Sequence, residues 1–330
     1  MLLTDLLVLF VSTLRRHERD VINLYNSLSG LMQITTGGNM LNFGYWDDKT
    51  QNPLQAQYTL SKMIGEFASL QTARRLVDVG SGYSAPALQW KSQYSFLKML
   101  CININLQQLK IAAALKSNSQ RIDHGVGLVS LKGLRNNNVF HINGTSTMLP
   151  IRSNSVDRVI AFESAQHFKP LIQFIHESNR VLERSGVIVL AMPVITSTSN
   201  LFSIPLFIKL GILSVTWASE HYKLEYVKSM INTHGFEIKD IQYIGSNVYG
   251  ALASYYIENR EKLKNMIVRE YPKFLETILY KSLLEMKAAS HHGLIDYILL
   301  KAEKYDSVNF SNQRAIDTSN THYQYSGDAH

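Results

Sequence analysis

The sequence has a single cysteine, Cys101, in 330 residues, which rules out an intrachain disulfide and any zinc cluster built on several thiolates. That residue lies in the mostly apolar run 96–104 and is expected to be a buried strand thiol, not a nucleophile. Proline is sparse, at 7, and glycine is ordinary, at 18, so a collagen-like chain and a wholly disordered one are excluded. Long blocks of like charge are missing. The 33 Lys and Arg against 26 Asp and Glu are scattered, as Arg15/Arg16, Arg74/Arg75 and Lys262/Lys264 show, so the formal +7 predicts no nucleic-acid partner. It leaves an anionic acceptor or a membrane surface open.

An apolar run able to span a bilayer, which takes about 20 residues, is also missing. The start, MLLTDLLVLFVSTLRR, has no positive leader region and carries Asp5. Its Leu3, Leu6, Leu7, Phe10 and Leu14 follow helical spacing, which predicts an amphipathic helix. The stretch LFSIPLFIKLGILSVTWA, at 201–218, is broken by Pro205, Lys209 and Gly211 and reads as a buried cap helix. The tail from Asn309 is polar, has little to bury and is expected to be disordered. A cytoplasmic protein, peripheral to a membrane at most, is the expectation.

What is present begins at Arg74. RRLVDVGSGYSAPALQW reads as a short strand over 76–79, a glycine turn, and a helix opening near Ser84. SFLKMLCIN is a second strand, and Asn105 caps the helix LQQLKIAAALK that follows. Strands are expected at 139–143, 156–164 and 187–193, with a helix over 171–182 between the last two. Then come a helix over 220–234, a strand after the helix-stopping Gly235, two helices over 248–287 punctuated by Pro272, and a last strand over 293–303. Alternating helices and continuously apolar strands imply an α/β fold: a mostly parallel sheet with helices on both faces, its last strand antiparallel to the sixth.

Asp78-Val79-Gly80-Ser81-Gly82 joins the first strand to a helix, where glycines let the backbone turn tightly and approach a ligand. A dinucleotide fingerprint is open to it, since Ala85 can close the motif; a phosphate-binding P-loop is not, because no Gly-Lys-Ser/Thr follows. Asp78 favours a cationic ligand, since a carboxylate attracts an ammonium and repels a pyrophosphate. The pattern D-x-G-x-G resembles motif I of the class I S-adenosylmethionine (SAM) methyltransferases, with Ser84 where that family carries a third glycine. CININLQQLKIA is similar to the family's second-strand block, with Asn103 in the acidic position. Gly144-Thr145-Ser146 is similar to its Gly-Asp-Ala, with Thr145 in place of Asp. SVDRVIAFESAQHF and RVLERSGVIVLAMP resemble its fourth- and fifth-strand blocks. MLNFGYWDD, at 40–48, resembles the H-F-G-Y-W block of small-molecule methyltransferases, among them sugar and natural-product O-methyltransferases and sarcosine- or sterol-type relatives.

The resemblance implies a Rossmann-like seven-stranded sheet and SAM as cofactor. Asp78, Gly80, Ser81 and Gly82 would hold its methionine part, Asn103 its ribose, and Thr145 with Ser146 its adenine edge. Tyr45, Trp46 and, from the preceding helix, Tyr25 would lie over it, offering aromatic faces to the sulfonium. His167 is the candidate general base of an O-methyl transfer and Glu163 its orienting partner or a substrate contact. His141 reads as a core histidine, and His291-His292 as a turn pair; no metal site is expected.

The resemblance also divides the chain into a helical cap over 1–70, a methyltransferase domain over 71–303 and a polar tail over 304–330. A lid at 194–220 and a helical insertion at 247–290 belong to the middle part. The nearly uncharged lid favours a small hydrophobic acceptor. Two other functions stay open. An N- or C-methyltransferase needs no dedicated base, so His167 would only shape the pocket. A SAM-binding scaffold without catalysis fits the departures at Ser84, Asn103 and Thr145. An NAD-dependent oxidoreductase calls for an acidic residue where Asn103 stands.

Overall fold

A computed structural model of the chain describes residues 17–117, 138–196 and 222–305. The amphipathic segment at 3–14, the apolar stretch 201–218 and the tail from 309 lie outside the described residues.

The strands are β1 (Arg75–Val79), β2 (Lys98–Asn103), β3 (Val139–Asn143), β4 (Val156–Phe162), β5 (Leu182–Ile195), β6 (Phe236–Tyr243) and β7 (Ile295–Lys304). They form one seven-stranded sheet in the order β3-β2-β1-β4-β5-β7-β6. The first five pair in parallel, and β7 runs antiparallel to both β5 and β6. The expected fold class is therefore the observed one: β7 pairs with the sixth strand as read, and with β5 as well. Successive apolar residues explain why the sheet is buried on both sides. Leu76 packs into the core on one face, while Val77 and Val79 pack into the core on the other. β5 starts at Leu182, earlier than the apolar run alone indicates, because Leu182 pairs with Val156 across a register shift and Ser185 takes a left-handed φ of 54°.

Numbered among the described residues, the helices are α1 (Glu18–Thr36), α2 (Pro53–Phe67), α3 (Ala85–Gln93), α4 (Leu106–Ser117), α5 (Leu171–Val181), α6 (Leu224–Thr233), α7 (Ala251–Glu258), α8 (Arg260–Glu270) and α9 (Lys273–His291). Asn105 caps α4 as expected: its Oδ1 accepts from the backbone N–H of Gln107 at 3.0 Å and of Gln108 at 3.3 Å. The insertion before β7 differs from the two helices expected. A π turn at Ser246–Gly250 leads into three helices, with an extra break at Asn259. There the backbone leaves the helical region, and both the main-chain N–H and the side-chain Nδ2 of Asn259 donate to the carbonyl of Tyr255. α1 packs against α8, and at Gly30 the hydroxyl of Tyr271 comes so near that a Cβ would lie 2.4 Å from it. Among the described residues no helix is long and apolar enough to cross a membrane.

Candidate active site

The carboxyl ends of β1, β2, β3 and β4 open on one cleft with about 980 Å³ of empty space, its mouth included, and α1 forms the opposite wall. Ligands of open α/β sheets bind at this edge. The turn after β1 forms its floor. Gly80 has φ 79° and lies so close to the turn after β4 that a Cβ would meet that of Ser164 at 2.3 Å. Gly82 has φ 55°, and the place of its absent Cβ has no atom within 4 Å, so the bare backbone faces the cleft. Ser84, in the family's glycine position, itself takes φ 55° and donates from Oγ to Ser81 Oγ at 3.1 Å.

Asp78 borders the cleft at 2 % exposure, and its carboxylate has no protein partner among the described residues. Burial pushes its pKa up to about 7. Asn103, ending β2, donates from Nδ2 to Gln108 Oε1 at 2.8 Å. The amide Nε2 of Gln108 is buried in the same wall without a partner among the described residues. After β3, Gly144 and Ser146 border the cleft and Thr145 does not. The Thr145 hydroxyl donates to Oε1 of Glu18, which does border it, and meets Thr147 Oγ1 at 3.0 Å.

The turn after β4 brings the titratable groups together. Its single 3-10 turn, Ala165–His167, sets the His167 ring in the wall, where Nε2 lies 3.0 Å from the hydroxyl of Tyr25 on α1. Burial lowers the imidazole pKa to about 4 and raises that of the phenol, the latter with help from the Glu163 charge. Glu163 has a left-handed φ of 47°, and its Oε1 accepts from the Phe43 N–H and the Tyr297 hydroxyl, each at 3.0 Å. Burial raises its pKa to about 8 against those two hydrogen bonds. Glu163 thus ties the chain before α2 to β4 and β7.

Tyr45 and Trp46 are not in the cleft wall, contrary to expectation. Gly44 has φ 82°, and a Cβ there would lie 2.5 Å from that of Ala56, so the segment bends onto α2. The Tyr45 N–H donates to Ala56 O, the Trp46 N–H donates to Asn247 O, and the indole packs on Tyr255 with ring centroids 5.4 Å apart. Met40, Leu41 and Asn42 of the same block reach the cleft instead. Asn42 is 3 % exposed, and neither side-chain polar atom has a partner among the described residues. His141, on β3, is half-buried and outside the cleft.

Asn42, Gln108 and Glu18 went unread in the sequence. Gln108 belongs to the second-strand block and Asn42 to the 40–48 block, so the blocks pointed at them while the residue roles did not. Glu18 has no local signal at all.

Residues 77–190, spanning β1 to most of β5, match the sequence model of the methyltransferase domain family. Over these residues the chain carries a methyltransferase domain. Erythromycin 3''-O-methyltransferase of Saccharopolyspora erythraea is 25 % identical over 158 residues, 48 % of this chain and 47 % of that one. The methyltransferase GfsG of Streptomyces halstedii is 25 % identical over 183 residues, 55 % of this chain and 60 % of that one. The aligned part is thus about half the length of the curated relatives. Among solved structures, the cyclopropane synthase MmaA2 of Mycobacterium tuberculosis has a TM-score of 0.72 at 14 % identity, covering 87 % of this chain and 98 % of its own. Phosphoethanolamine N-methyltransferase 2 of Haemonchus contortus, in complex with SAM, has a TM-score of 0.68 at 14 % identity, covering 88 % and 60 %. At such identities these structures speak for the fold.

The methyltransferase cofactor, SAM, fits the groups in this cleft. A buried Asp78 carboxylate, without a protein partner among the described residues, suits an ammonium, and the open space over Gly82 suits a closely approaching ligand. The Gln108 Nε2 and both polar atoms of the Asn42 amide offer donors and an acceptor without a partner among the described residues.

Proposed function

We propose that the chain methylates a hydroxyl group of a small hydrophobic acceptor, with SAM as methyl donor and His167 as general base. The observation that carries this reading is the Tyr25–His167 pair in the cleft wall, 3.0 Å apart. SAM supplies a methyl group on a positively charged sulfur, so that transfer to oxygen leaves a neutral thioether. The acceptor oxygen grows acidic as it takes up the methyl group, and its proton passes to Nε2 of His167, directly or through the Tyr25 hydroxyl. With its pKa near 4, the imidazole is neutral at pH 7 and has a lone pair to receive that proton. Asp78 holds the cationic amino-acid end, Gly80 and Gly82 admit it, and the Asn103–Gln108 pair binds hydroxyls of the sugar. α1 covers the cleft and keeps water from the reacting centre.

A hydrophobic acceptor is supported by the apolar wall, which includes Met40, Leu41, Phe162 and Phe168. Transfer to oxygen is supported by the likeness to erythromycin 3''-O-methyltransferase. The test is a panel of hydrophobic alcohols and small polar amines incubated with SAM, read by mass spectrometry of methylated products. Methyl ethers among the alcohols are the expected result. Turnover of polar amines such as sarcosine alone would overturn the reading.

A further inference from the structure

We propose that Glu18, on the first helix, is the residue that binds the exocyclic amino group of the cofactor's adenine, with Thr145 as its positioning residue. The inference rests on the reading of the cleft as a SAM site and specifies how its far end is read.

The order of groups along the cleft fixes where the base lies. The methyl-bearing sulfur has to face Tyr25 and His167, beside β4. Asp78, at the end of β1, takes the ammonium, and the Asn103–Gln108 amides, at the end of β2, take the sugar. What remains is the end beyond β3, bordered by Gly144, Ser146 and Glu18, with Val21 and Ile22 from the same helix as Glu18. A purine needs apolar faces and polar groups at its edge, and its amino group is a donor that calls for an acceptor.

Glu18 is the carboxylate at that end. Its Oε1 is held by the Thr145 hydroxyl, while Oε2 has no protein partner among the described residues. Thr145 is fixed in turn, since its Oγ1 accepts from the Thr147 N–H at 3.3 Å and lies 3.0 Å from Thr147 Oγ1. Thr145 occupies the position where the resembling family has an aspartate. The loop has thus lost a carboxylate, and α1 supplies one to the same place, 127 residues earlier in the chain. Glu18 also stands in the first turn of α1, where unpaired backbone N–H groups favour a negative side chain. Because α1 also carries Tyr25 to His167, reading the base and covering the reacting centre become one event.

The experiment is calorimetry of S-adenosylhomocysteine and its deaminated analogue, S-inosylhomocysteine, with four proteins: the full chain, Glu18→Gln, Thr145→Val and the double variant Glu18→Gln/Thr145→Asp. The inosine analogue places a carbonyl where adenine has its amino group, so a carboxylate repels it. The full chain should prefer the adenosine compound by about 10- to 100-fold. Glu18→Gln, whose amide both donates and accepts, should reduce the preference to within about threefold, and Thr145→Val should reduce it in part. The double variant, with the carboxylate moved to the loop, should restore it. Hydrogen exchange gives a second readout: the adenosine ligand should protect the amides of residues 18–25 in the full chain and much less in Glu18→Gln. Tight, selective binding to the full chain that Glu18→Gln leaves unchanged would overturn the inference while sparing the cofactor site. Failure of the full chain to bind at millimolar concentration would instead overturn the cofactor reading, and this inference with it. Glu18 is exposed at the cleft mouth, so its substitution leaves the core intact.

Discussion

The hydroxyl of Tyr25 lies 3.0 Å from Nε2 of His167, although 142 residues separate them. Their rings meet edge to face with centroids 5.5 Å apart, so α1 is latched to the turn after β4 at the point where chemistry is proposed. A second latch joins the same helix to α4, where Asn105 Nδ2 donates to Asn26 Oδ1 at 2.8 Å.

Removing the base should lower turnover with little change in cofactor affinity. His167→Ala is expected to reduce kcat by about 10²- to 10⁴-fold. Tyr25→Phe should reduce it less, since the imidazole keeps its lone pair and loses an orienting hydrogen bond. Steady-state kinetics with the best acceptor, beside calorimetry of S-adenosylhomocysteine, separates the two effects. Equal turnover in His167→Ala would remove this residue from the mechanism.

Ligand binding should release a proton. The Asp78 pKa of about 7 belongs to a carboxylate raised by burial, and an incoming ammonium favours its ionised form. Below pH 7 the proton has to leave before the ion pair forms. Affinity for S-adenosylhomocysteine should therefore rise about tenfold per pH unit up to about pH 7 and level off above it. Calorimetry in buffers of different ionisation enthalpy counts the proton directly, and Asp78→Asn should abolish both the slope and the release.

Glu163 gives a stability prediction with a definite sign. Its folded pKa, about 8, lies above the usual carboxylate value, so the folded protein holds a proton that the unfolded chain has lost. Its contribution to stability is full below about pH 4.5, the ordinary value, and fades as pH rises through 8. Glu163→Gln should thus melt at or above the parent temperature at pH 8, and the difference should shrink toward pH 5. Glu163→Ala should destabilise by about 1–3 kcal/mol, because Phe43 N–H and Tyr297 OH lose their common acceptor. Thermal melts of the three proteins across pH decide the matter.

A last prediction concerns the insertion. Glu276 is fully buried on α9, and its Oε1 accepts from Arg260 Nε at 2.9 Å while the guanidinium sits 3.5 Å from the centroid of the Tyr280 ring. Arg260→Ala should destabilise by about 1–3 kcal/mol, since it leaves the buried Glu276 carboxylate only the Tyr256 hydroxyl, at 3.5 Å. Arg260→Ala/Glu276→Gln should recover much of the loss. Urea denaturation of both variants tests it.

The strands were legible because burial on both faces leaves continuous apolar runs, and Asn105 marked the start of α4 by residue type alone. The break at Asn259 was not: asparagine suits a cap, but Tyr256, Leu263 and Ile267 keep helical spacing across it. At the cleft, the glycine turn announced Asp78, Gly80 and Gly82 through local chemistry. The aromatic block misled at Tyr45 and Trp46 because a bend at Gly44 decides which residues turn inward, and that bend depends on contact with Ala56. Glu18 was out of reach, for its meaning depends on Thr145, a residue distant in sequence and brought near by folding.

The place of β7 bears on how the molecule is made. The strand that enters the sheet between β5 and β6 leaves the ribosome after the other six described strands, so until residues 295–304 emerge β5 and β6 lack the partner that lies between them. β1 to β5, with the whole floor of the cleft, can assemble earlier. Synthesis thus delivers the strands that floor the cleft before the strand that joins the insertion to the sheet.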